Sequence, residues 1–211
     1  MRNKMVNLSA RSVKHFLPDV EIHCLTLFKS SRKEYEKQEP LLPFIKEFKE
    51  RTKYISPIRV YDGNLEETSG YGNPMNGAYF IEGYNIIQNK FKDYDGKLLI
   101  LAEDHFFTTG KTLNELVKND WELAYAPAFH RNEGTANGSI LGINPFKLNS
   151  LFPLLEVHNV PIERSIAIEL LKKVPNKYRI KHRIWTDYCG DGIYTNSSEE
   201  MTIELKKARI I

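Results

Sequence analysis

The chain has 211 residues, of which 41% are apolar and 27% charged; that balance suits a packed core and excludes disordered, collagen-like and coiled-coil classes. Its 30 Lys and Arg against 27 Asp and Glu leave +3 with neutral His, an excess too small to make nucleic acid the default partner. Only Cys24 and Cys189 are present, which rules out a disulfide framework and a cysteine-rich zinc site and fits a reducing, cytoplasmic setting.

The length predicts one domain. No stretch near Met1 is apolar enough for a signal peptide, and none approaches the ~20 residues of a membrane span. Residues 8–17 have Leu8, Val13, Phe16 and Leu17 near helical spacing, and Pro18-Asp19 ends that helix. Residues 21–28 read as a strand and 42–51 as an amphipathic helix. A strand over 55–61 is closed by Asp62-Gly63-Asn64, and a Gly/Asn-rich loop runs through Asn76. Residues 78–91 read as a helix.

After the Asp95-Gly96 turn, residues 97–102, apolar from Leu98 onward, form a run of the kind a central parallel strand shows when both faces are buried. A helix is predicted over 112–119, strands over 121–129 and 139–143, and helices over 148–155 and 162–174. A late strand spans 179–185, and the tail from Glu199 is a charged helix or strand. Alternation of strand and helix implies an α/β sandwich, with a mostly parallel central sheet flanked by helices. Ligands of such sheets lie beyond the C-terminal ends of the strands.

The apolar run leads directly into Glu103-Asp104-His105 and then Phe106-Phe107. Three ionisable groups at a strand mouth are costly unless something pairs them. Carboxylate with imidazole suits a borderline divalent cation such as Mn2+, whereas Mg2+ prefers oxygen and water. The alternative is a turn whose carboxylates cap the next helix.

On this strand and motif the chain resembles the nucleotide-sugar glycosyltransferases of the GT-A fold, which carry an Asp-x-Asp-type motif, in some members Glu-Asp-His, at the end of an apolar strand. The resemblance implies a three-layer GT-A-like sandwich, with a nucleotide-binding part over about 1–107 and an acceptor-side part over about 108–211. It implies a nucleoside-diphosphate sugar donor, a uridine one first, and a glycan or glycoprotein acceptor. Mn2+ or Mg2+ would be held by Asp104 and His105, with Glu103 on the ribose or a metal-bound water; in a second alignment Glu103 and His105 take the outer positions. Ala102 stands where the motif usually has its first acid, and Met1 to Asn7 make a poor version of the family's opening strand.

Further correspondences follow. Tyr61 would stack on the base and Asp62 accept from its ring N–H, although Asp62-Gly63 is also a plain turn signal. Asn76 can cap the next helix, whose free N–H groups would face an anion. Gly138 and Ser139 resemble the segment under the donor sugar. Glu163 is the candidate base for an inverting reaction, but a Glu in a first helical turn is favoured by the macrodipole anyway. His182, Asp187 and Asp191 compete as a third metal ligand, with His182 preferred. Trp185 could cover a sugar or base face.

Two other functions use the same residues: a nucleotide-sugar hydrolase and a non-catalytic carbohydrate- or nucleotide-binding module. No Gly-x-Gly-x-x-Gly follows a strand. Thr109-Gly110-Lys111-Thr112 matches only the end of a phosphate loop.

Overall fold

A computed structural model describes residues 2–28, 39–51, 83, 86–87, 89–101, 103, 105–126, 139–143, 176–179, 185–186 and 197–211. In these residues the chain mixes helix and strand and includes a small parallel sheet.

Helix α1 (Arg2–Phe16) is longer than the apolar spacing predicts. Its first turns are held by side chains that spacing does not reveal. Met5 is buried, Asn3 Nδ2 donates to the Glu39 carbonyl at 2.8 Å, and Asn7 Oδ1 accepts from the Leu42 N–H at 3.0 Å. Strand β1 (Ile22–Phe28) pairs in parallel with β2 (Ile45–Arg51), Cys24 against Glu47.

The helix predicted over 42–51 is therefore a strand. Ile45 and Phe48 sit three apart, a spacing that imitates a helix. Pairing with β1 decides otherwise, because it satisfies the backbone and sets Ile45, 7% exposed, in the interior. Thr26 Oγ1 donates to Glu47 at 2.9 Å, and Lys46 pairs with Glu21 at 2.9 Å.

Strand β3 (Leu98–Leu99) leads to β4 (His105–Phe106). Helix α2 (Lys111–Lys118), β5 (Leu123–Ala126), β6 (Ser139–Ile143), β7 (Lys177–Arg179), β8 (Trp185–Thr186) and helix α3 (Ser198–Lys207) follow. The second sheet has the order β3-β6-β5-β7, and β4 pairs with β8. Strands β3, β5 and β7 run in one direction; β6 lies reversed between β3 and β5.

The run over 97–102 thus departs from expectation. Its strand is two residues long, half-buried, and antiparallel to β6, its one neighbour among the described residues. Leu99 and Leu101 pack at the margin of the core rather than through its centre. The late strand divides into β7 and β8, which belong to different sheets. The predicted strand at 55–61, the helices at 148–155 and 162–174, and most of the one at 78–91 lie outside the described residues; Gly83, Ile86, Ile87 and 89–91 are helical.

Two apolar clusters meet on α1. Val13 packs with Phe107, Leu113, Leu116, Trp121 and Ala124. Met5 and Leu8 pack with Phe106, Met201 and Leu205. Lys97 Nζ closes the C-terminal end of α2, donating to the Asn119 carbonyl at 2.5 Å beside the Trp121 ring. A Cβ on Gly110 would come within 2.9 Å of the Phe16 ring, so that glycine has a packing role that needs no phosphate.

Candidate functional site

The acidic turn joins two strands. β3 leads towards it, and β4 leaves it buried, with His105 9% exposed and Phe106 fully enclosed. Helix α1 holds the departing backbone. Ser9 Oγ donates to the His105 carbonyl at 2.5 Å, and the Phe107 N–H donates to Ser12 Oγ at 3.1 Å. Ser12 Oγ in turn donates to the Ser9 carbonyl at 2.7 Å. Both serines are buried, so these bonds form away from water.

Burial holds the His105 imidazole well below its ordinary value, at about 4, with the Glu103 carboxylate pulling weakly the other way. The ring is therefore neutral at pH 7, the form that ligates metals. Glu103 is half-buried and also lies within electrostatic reach of Cys24. Burial, together with the Glu47 and Glu103 carboxylates, raises that thiol, against a hydrogen bond with Thr26 that lowers it. Cys24 is thus within electrostatic reach of the turn, a relation that sequence reasoning missed, and Thr26 and Glu47 flank that thiol on the paired strands. Their signal is the strand pairing of β1 with β2, and residues 42–51 carry helical spacing.

The ladders gather several predicted residues. Trp185 pairs with Phe106, and Thr186 with His105. Residues 185–186 of the late segment are therefore paired with the strand that begins at His105. In the second sheet Leu99 pairs with Gly142 and Ala126 with Ser139. Ser139 opens β6 at the end of the sheet towards which β3 runs to Glu103, and β5 and β7 leave the sheet at that same end. The exits of three co-directional strands and the entry of β6 lie at that one end of the sheet.

Tyr61, Asp62, Asn76, Asp104, Gly138, Glu163 and His182 lie outside the described residues. Among the described residues no group of three or more His, Cys, Asp or Glu is arranged to hold a metal. The chemistry of the pair that is described, a neutral imidazole and a carboxylate, fits a borderline divalent cation.

Comparison with protein-family models, with curated proteins and with solved structures finds no match.

Proposed function

We propose that the chain is a metal-dependent glycosyltransferase with a GT-A-like sandwich, moving a sugar from a nucleoside-diphosphate sugar, uridine-linked, to a hydroxyl of a glycan or glycoprotein acceptor. The observation that carries this reading is that three strand exits lie at the end of the sheet from which β3 runs on to Glu103, with the strand beginning at His105 paired to the one that holds Trp185. Asp104, His105 and His182 are the residues that would hold Mn2+ or Mg2+, and Glu103 would meet the ribose or a metal-bound water. When bound, the cation supplies positive charge against the diphosphate.

The chain's own residues do the rest. Tyr61 and Trp185 offer flat faces to base and sugar, and Asp62 accepts from the base. Asn76 orders a helix start that faces anionic charge. Gly138 and Ser139 lie under the donor sugar. Glu163 takes the proton of the acceptor hydroxyl as its oxygen attacks the anomeric carbon with inversion, while the bond from that carbon to the diphosphate oxygen breaks and the nucleoside diphosphate leaves with its electron pair.

A thermal-shift screen of nucleotide sugars with and without Mn2+ tests the proposal. One uridine sugar should stabilise the protein only with Mn2+, by about 2.7 kcal/mol at a hundredfold excess over Kd. Asp104→Ala should abolish that stabilisation and keep its own melting transition. Equal stabilisation with and without the metal would sink the metal assignment; none from any nucleotide sugar would sink the donor class.

A further inference from the structure

We infer that a cavity on the face of α1 turned away from Ser9 binds a small amphiphilic anion, a carboxylate or phosphate ester with a short apolar body. The cavity has a volume of about 300 Å3, at the lower end of small-molecule sites. Lys4, Leu8 and Arg11 recur at helical spacing along one side of α1 and line it. The segment at Glu39 and Leu42 forms the facing wall, and Ile211 closes the rim. Arg11 lies about 160° round the helix from Ser9, so this site is separate from the acidic turn and stands without the glycosyl-transfer reading.

The charges facing the cavity are unequal in how far they are engaged. The Glu39 carboxylate is taken up by Asn7 Nδ2 at 2.9 Å, and the same amide donates to the Pro40 carbonyl at 3.0 Å. These bonds, with that of Leu42 N–H to Asn7 Oδ1, fasten the wall to α1. Lys4 meets Glu199 at 3.3 Å in an exposed pair, a contact of small net worth that a ligand can displace. Arg11 is exposed and has no partner among the described residues. Its planar fork matches a carboxylate or phosphate.

Between the two cations, about 10 Å apart along the helix axis, the floor is apolar. Leu8 is buried and Leu42 half-buried, while Ile211 stays 38% exposed, a large apolar side chain that a bound ligand would cover. Cationic ends and an apolar floor select a ligand carrying both features.

Calorimetric titration of the full chain with octanoate tests this, with octanol as the neutral counterpart. Octanoate should bind saturably at one site, and octanol roughly tenfold or more weakly. Arg11→Gln, at an exposed position, should weaken octanoate by a similar factor with an unchanged melting temperature. Leu42→Trp, which fills the cavity, should abolish binding. No saturable octanoate binding overturns the proposal, and so does octanoate affinity equal to that of octanol or unchanged in Arg11→Gln.

Discussion

At the scale of single residues, His105 and Tyr178 report opposite ends of the pH range. The folded His105 imidazole protonates at about 4, against about 6.5 in the unfolded chain. The unfolded state therefore takes up this proton first as pH falls. Stability from this group is complete above about 6.5 and is lost progressively down to about 4, in total roughly 3 kcal/mol. Urea unfolding followed across that window should show the decline, and His105→Gln should flatten it; an equal slope in the variant would refute the assignment.

Tyr178 donates its hydroxyl to the buried Glu115 carboxylate at 2.7 Å, and this bond pushes its own ionisation up to about 12. A raised folded value means that the contribution is present below about 10 and is lost as pH rises through about 12. Tyrosinate absorbance should show a late step that disappears in Tyr178→Phe. Neither group is legible in the sequence as perturbed, because the perturbation comes from burial under α1 and from a partner 63 positions away.

At the scale of elements, the serine seam between α1 and β4 and the end of α3 carry the clearest expectations. Ser12 is fully buried and satisfies the Phe107 N–H. Ser12→Ala leaves that donor unpaired and should cost about 1–3 kcal/mol in denaturant unfolding.

Helix α3 begins with Ser197 Oγ accepting from the Glu200 N–H at 3.1 Å. It ends with Arg209 in the left-handed region at φ 59. There the Ile210 N–H reaches the Leu205 carbonyl and the Arg209 N–H the Lys206 carbonyl, both at 2.9 Å, the pattern that favours glycine at the residue after the cap. Arg209→Gly should stabilise by about 0.5–1 kcal/mol, read from the same unfolding curves.

The sequence readily shows elements whose period and ends agree. In α2, Leu113 and Leu116 are buried as their spacing predicts. The tail from Glu199, open in the sequence between helix and strand, is helix α3, with Ser197, Glu199 and Glu200 at its start and Lys206 and Lys207 at its end. It misleads at β2, where pairing with β1 outweighs an apparent helical period. It also misleads at β3, where an apolar run lies at the core margin. The acidic turn stands out in the sequence because charge directly follows an apolar run. The electrostatic reach of Glu103 to Cys24 is not legible there, because folding alone sets it, and only strand register sets Glu47 opposite that thiol.

At the scale of the molecule, α1 joins the two apolar clusters, one through Val13 and the other through Met5 and Leu8. Met201 and Leu205 of α3 complete the second. Removing residues 198–211 would strip cover from Met5, Leu8 and Phe106, and hydrogen exchange should show lost protection in β4 as well as in α1. Among the described residues no helix is long and apolar enough to cross a membrane.

The joining role of α1 also bears on time. Its bond to the β4 backbone spans 96 positions and its ion pair to α3 spans 195. Contacts so distant along the chain close large loops before they return any stabilisation, which slows folding. Val13 has its partners once the chain has folded as far as Ala124, whereas the cover of Met5 and Leu8 is complete only when Met201 and Leu205 arrive, and until then these two side chains remain open to water or to a chaperone.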